Sequence, residues 1–203
     1  NVLPHERRFF DRFLSGIVFR QVDYFITHSE RDKLILQKWV PAAKTLAMFH
    51  PIYDFFKKET SVAVAKERLG VAGDVLLFFG AIREYKGLSY LLRALQRVIK
   101  ERKVVLLIVG EFFGDKKPYL ELIDELQLTS QVKIFDRYIP NEAVAEYFSV
   151  ADVLIAPYIS GTQSGVITIA YAFEKPVIAT DVGGFSEVVI PNVTGYLVPP
   201  KDA

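Results

Sequence analysis

The chain has no cysteine, one methionine and one tryptophan among 203 residues. Without thiols it can form neither a disulfide nor a thiolate metal site, and a cytoplasmic setting fits that composition. No apolar stretch reaches the roughly 18–20 residues that a membrane-spanning helix needs. The opening NVLPHERRFF lacks the apolar core of a signal peptide. Charge of either sign is scarcely in excess: 25 Lys and Arg face 24 Asp and Glu, a net of +1. That leaves no broad field to draw nucleic acid or an acidic partner. Two phosphate-binding signatures are also missing. There is no GxxxxGK[ST], so no P-loop, and no GxGxxG after a strand, which counts against a dinucleotide oxidoreductase. His5, His28 and His50 are not spaced as metal ligands, and no DxD pair falls on a suitable loop.

What is present is a large apolar fraction, 51%, and a regular alternation of strand and helix patterns from about residue 74. The length suits one domain, or one domain with part of another. Val75–Phe79 and Val104–Val109 are continuous apolar runs that each end at a glycine, as in strands buried on both faces. Leu88, Leu91, Leu92, Leu95, Val98 and Ile99 recur at helical spacing and predict a helix over about 86–101. Further strands are expected at 132–135, 153–156, 176–180 and 195–198. Helices are expected around Leu120–Leu126, from Asn141 as N-cap, and to about Phe173. The Gly183-Gly184 turn should open another helix. The pattern implies a doubly wound, Rossmann-like parallel sheet of the α/β class. The first 50 or so residues read differently. Residues 6–20 predict a helix with Phe9, Phe10, Phe13, Leu14 and Ile17 on one side and a charge of +2. Strands follow at 24–27 and 45–49, with Ser29 capping a helix between them. His50-Pro51 and the aromatics to Phe56 look like a crossing between units.

Two loops carry the candidate chemistry. The first, Gly80 to Gly87 (GAIREYKG), places Arg83 and Lys86 between a buried strand and a helix. The second, Gly161, Thr162, Gln163, Ser164 and Gly165, sits where a helix begins. A helix N-terminus offers unpaired N–H groups and a positive dipole end, and small residues let a phosphate approach. Both loops fall at the C-terminal edge of a parallel sheet, where open α/β sheets bind ligands. Two cations and a helix start suit a diphosphate.

The ordered set FFGAIREYKGLSYLLRAL, LLIVGE, a strand-final PY with its small polar loop, and KPVIATDVGG resembles the donor domain of family 4 retaining glycosyltransferases of GT-B architecture. The resemblance spans residues 54–203. Residues 1–53, with NVLPHE and FITHSE, resemble the last part of that family's acceptor domain, so the chain is expected to be part of a longer protein. The resemblance implies a sugar transfer, with retention, from a nucleoside-diphosphate sugar to a glycan, lipid or small-molecule acceptor, without a metal cofactor. It implies that Arg83 and Lys86 neutralise the diphosphate. Thr162, Ser164 and Gly165 would donate to the phosphates, with Gly80, Gly161 and Gln163 in the same loops. Arg137, Tyr138 and Ile139 would line the base, Glu111 would sit nearby, and His5 is the nearest remaining candidate for the acceptor-side histidine. His28 and His50 read as structural. The helix at 6–20 leaves a peripheral membrane role open beside the simpler reading of core packing.

The chain departs from the family pattern at four positions. Ala81 stands where many relatives have Arg. Gly161 and Ile169 stand where many carry a Glu pair, and Glu174 where Gly is common. The alternatives left open are a GT-B epimerase or phosphorylase, and a non-catalytic relative that binds a nucleotide sugar or a partner.

Overall fold

The structure is a computed structural model that describes residues 11–56 and 61–203. Its centre is a six-stranded, all-parallel sheet. The strands are β3 (Asp74–Phe79), β4 (Val104–Val109), β5 (Val132–Phe135), β6 (Val153–Ala156), β7 (Val177–Thr180) and β8 (Gly195–Val198). Their spatial order is β5-β4-β3-β6-β7-β8. The chain starts in the middle, winds to one edge, returns and winds to the other. The order therefore reverses between β3 and β6, the position beyond whose strand ends open α/β sheets form a ligand crevice.

Alternation along the strands explains the continuous apolar runs. Val75 and Leu77 point to one face, packing with α3 (Val62–Leu69), α6 (Asn141–Val150) and α7 (Gly165–Ala172). Phe78 points to the other, packing with α4 (Leu88–Val98) and α5 (Lys117–Glu125). Each strand thus needs apolar residues on both sides. Tyr147, Phe148 and Phe185 are fully buried in the first layer.

The leading segment holds α1 (Asp11–Phe19), β1 (Tyr24–Thr27), α2 (Glu30–Trp39) and β2 (Lys44–Ala47). β1 and β2 pair in parallel, with Tyr24 opposite Lys44. Ser29 caps α2 as expected, its Oγ accepting from the Asp32 N–H at 3.0 Å. Among the described residues no helix is long and apolar enough to cross a membrane.

Three expectations are corrected. The helix placed from Lys86 starts at Leu88, because Glu84–Lys86 forms a single 3-10 turn that ends on Gly87 at φ 72°. Asn141 is the first residue of α6 rather than its cap; Pro140, in an extended conformation, takes that place. The Gly183-Gly184 turn opens only a 3-10 turn, Phe185–Glu187. Of the helix expected over 6–20, the part before Asp11 lies outside the described residues.

Candidate functional site: a cationic crevice at the strand reversal

The GAIREYKG loop leaves β3 and is locked at both ends. Ile82 donates its N–H to the Glu111 carbonyl at 2.8 Å, and Phe113 donates to the Ile82 carbonyl at 2.9 Å. At the other end Ile159 donates to the Tyr85 carbonyl at 2.7 Å, and the Thr180 hydroxyl donates to the Tyr158 carbonyl at 2.6 Å. Gly87 makes that junction possible. Its φ of 72° disfavours a side chain, and a Cβ there would run into the Pro157 carbonyl oxygen. The loop after β3 and the loop after β6 are therefore one rigid rim across the reversal.

Lys86 is the most unusual residue of that rim. The residue is only 6% exposed. Its Nζ lies 3.0 Å from where a Cβ on Gly80 would be, and 5.5 Å from the Tyr158 ring centroid. Among the described residues no carboxylate forms an ion pair with it. Burial, and then the neighbouring Arg83, pulls its pKa from 10.5 down to about 8. A buried cation with no anionic partner is expensive to keep unless a ligand supplies the anion. Arg83 lies over Phe113, its guanidinium carbon 4.4 Å from the ring centroid. The Phe113 loop is itself pinned. Asp136 accepts from the Phe112 N–H at 3.1 Å and from Lys116 Nζ at 2.7 Å, which holds its carboxyl below the usual carboxylate range.

The second loop faces the same crevice. Ser164 holds the N-cap position of α7, yet its side chain does not cap the helix. It pairs instead with the Tyr158 hydroxyl at 3.2 Å. Burial pushes the Tyr158 phenol up, so it stays neutral. The N-cap side chain therefore claims no first-turn N–H of α7; that of Ile167 donates to the Ser164 carbonyl at 3.1 Å, and an anion can take those of Gly165 and Val166. Tyr53, from the crossing segment, lies against Gly165, with a ring carbon 3.3 Å from a Cβ built there, and its hydroxyl pairs with His50 Nε2 at 3.0 Å.

The structure brings Gly80, Arg83, Lys86 and Gly161 to Gly165 to this one edge. Glu111 is exposed on the adjoining loop and uses its main chain to hold Ile82. Arg137 donates to the Tyr147 hydroxyl at 3.0 Å, and Tyr138 is exposed. Ile139 is buried in the core, so any contact it makes with a ligand would come from its main chain. His5 lies outside the described residues. The ring of His28 stands 4.7 Å from that of His50. Among the described residues no group of three or more His, Asp or Glu is placed to hold a metal ion. Sequence reasoning missed Phe113 and Asp136, and gave Tyr158, the tyrosine of the strand-final PY, no role of its own. Only the aromatic residues beside each glycine loop hinted at them.

Residues 73–203 match the family "Glycosyl transferases group 1". A D-inositol 3-phosphate glycosyltransferase of Streptomyces avermitilis is 31% identical over 188 residues, covering 87% of this chain and 40% of that protein. An uncharacterized glycosyltransferase of Methanocaldococcus jannaschii is 30% identical over 140 residues, covering 68% and 35%. The chain thus spans less than half the length of these relatives. Among solved structures, sucrose-phosphate synthase of Thermosynechococcus elongatus superposes with a TM-score of 0.83 at 27% identity, covering 97% of this chain and 50% of that one. Anabaena HepE, solved with UDP, gives a TM-score of 0.82 at 20% identity, covering 95% and 54%. The parallel sheet and these neighbours are those of the GT-B fold. By its sequence, and by the sheet and crevice it builds, this chain belongs to the group 1 glycosyltransferases.

Proposed function

We propose that this chain is the donor-binding part of a glycosyltransferase that moves a sugar from a nucleoside-diphosphate sugar to an acceptor. Residues 54–203 form the donor domain and residues 1–53 the end of an acceptor domain. The observation that carries this reading is Lys86, a buried ammonium at the strand reversal that pairs with no carboxylate among the described residues. A diphosphate seated there would meet Lys86, Arg83 and the free end of α7 together. As the bond to the anomeric carbon breaks, negative charge grows on the leaving diphosphate. Fixed cations and N–H groups aimed at that charge are the largest single source of rate in such reactions. These groups belong to the chain itself, so we expect nucleotide binding to persist in the presence of a chelator. Arg137, Tyr138, Glu111 and the Ile139 main chain would face the base. Retention at the anomeric carbon, a cytoplasmic setting and a role for His5 complete the reading. The exposed Phe13, Leu14 and Ile17 of α1 suit packing against further chain better than a membrane surface.

Calorimetric titration with UDP, GDP and ADP, with a dinucleotide as control, tests the reading at fixed salt. Micromolar binding of one nucleoside diphosphate is expected, and HepE makes UDP the first to try. No binding to any of them by the folded chain would sink it. A second reading has its own observation: Gly161 and Ile169 occupy the positions of the Glu pair common in relatives. A side chain at 161 would press on Tyr158, with its Cβ 3.3 Å from that ring. A nucleotide sugar bound tightly but never transferred, even by the longest form of the protein, would favour a binding protein without turnover.

The lowered pKa of Lys86 makes two pH predictions of definite sign. Between about 8 and 10.5 the folded chain holds fewer protons than the unfolded one, so stability rises with pH across that window. Diphosphate binding prefers the charged form, so affinity falls above pH 8 by up to roughly tenfold per unit. A Lys86→Met variant should show neither trend. A flat affinity profile from pH 7 to 10 in the parent chain would remove Lys86 from the binding step.

A further inference from the structure

We propose that Glu187 is a positioning residue, an interlobe clamp that ties the leading segment to the phosphate-facing loop. The start of α2 has four N–H groups to satisfy, and its own N-cap Ser29 takes only that of Asp32. Glu187, from the far end of the chain, takes two more. Its Oε2 accepts from the Glu30 N–H at 2.8 Å and its Oε1 from the Arg31 N–H at 3.1 Å. Arg31 replies by donating from Nη1 to the Gly183 carbonyl at 3.1 Å. Negative charge at a helix start is also favoured by the dipole. The contact is thus a reciprocal, charged cap shared between two parts of the fold.

The turn that carries Glu187 also touches the site. Gly184 donates its N–H to the Thr162 carbonyl at 2.8 Å, and Gln163 Nε2 donates to the Gly184 carbonyl at 3.4 Å. There is no spare room on either side. A Cβ on Gly184 would fall 2.6 Å from Ser29 Cβ and would collide with Gln163 Nε2. The Gly183-Gly184 turn is therefore a spacer, with α2 on one side and Thr162-Gln163 on the other. Moving α2 away removes the wall that holds this loop. The consequence for donor binding rests on the function proposed above; the clamp itself does not.

Two variants test it. Glu187→Ala removes the acceptors. Gly184→Ala leaves them in place but forces a methyl between Ser29 and Gln163, at a φ of −96° that alanine adopts freely. Amide exchange measured residue by residue should rise at least tenfold at Glu30 and Arg31 in Glu187→Ala. Protection of β3 and β4 should not change. Glu187→Gln keeps one carbonyl acceptor and should restore protection at one of the two amides. Both Glu187→Ala and Gly184→Ala should weaken nucleoside diphosphate binding several-fold. Unchanged exchange at Glu30 and Arg31 in Glu187→Ala overturns the clamp. So does faster exchange spread evenly through the main sheet, which would mark a general loss of stability. If Glu187→Ala fails to fold, Glu187→Gln carries the same readout. A parent chain that binds no nucleotide but shows the exchange pattern would defeat the proposed function and leave the clamp standing.

Discussion

Lys86→Ala is expected to bind nucleoside diphosphate about 30- to 1000-fold more weakly than the parent chain. The figure follows from losing one charge-assisted contact in a dry site, about 2–4 kcal/mol. Lys86 is 6% exposed, so water cannot take its place at the phosphate, and the screening that weakens surface pairs does not apply. The same substitution removes a buried charge that no carboxylate among the described residues pairs. In Lys86→Met, which removes the charge but keeps the buried stem, the unfolding midpoint at neutral pH should therefore hold or rise. That opposition, weaker binding without weaker folding, separates a ligand-binding lysine from a structural one. Lys100→Ala, on an exposed position beyond α4, should change neither quantity. Equal affinity in the two variants would refute the diphosphate clamp. A drop in stability for Lys86→Met, which keeps the buried stem, would say that its ammonium serves the fold instead.

Gly87→Ala should destabilise the chain by about 3–5 kcal/mol, from left-handed backbone strain and overpacking combined. The conformation at φ 72° ends the 3-10 turn and starts α4, so it cannot relax without shifting one or the other. A methyl would also strike the Pro157 carbonyl, on the loop that follows β6. If that loop retreats, the Ile159 to Tyr85 hydrogen bond goes with it. Urea unfolding of the parent and variant measures the difference, and an unchanged slope would show that the same surface is exposed on unfolding in both. A loss under 1 kcal/mol would mean the two loops are not rigidly joined. Nucleotide affinity should then survive in the variant as well.

The parts of this fold that could be read from the residues are those governed by local pattern. β4 is six apolar residues in a row before a glycine, and α4 shows its leucines at three- and four-residue steps. β4 stands where the pattern puts it, and α4 keeps its leucine face while its ends draw in to Leu88 and Val98. Ser29 carries its cap signal beside it in the chain. Asn141 carried a similar signal, but Pro140 already supplies the extended residue before the helix, so the asparagine moves one step inward. The two loops of the crevice were legible as glycine-bounded segments with cations. That Lys86 is buried was not. Its burial depends on Tyr158 and on the start of α7, which meet it only after the sheet reverses direction. Glu187 is harder still, since a shared cap leaves no trace in either sequence neighbourhood. Phe113 under Arg83 is intermediate: an exposed aromatic beside a glycine loop is a hint without a partner.

The shared cap on α2 also bears on how the chain is made. Glu187 lies 157 positions after Glu30 and 156 after Arg31. Synthesis runs from the N-terminus, at about 5–20 residues per second, so α2 leaves the ribosome roughly ten seconds or more before its acceptor exists. A ten-residue helix is marginal on its own in water. Its first turn should therefore fray in the nascent chain, with the exposed Ile26 and Leu34 nearby. It should firm up only when the last βαβ unit of the sheet closes. A ribosome-bound chain halted before Glu187 should lose that helix start to a protease, and one halted well beyond Val198 should keep it.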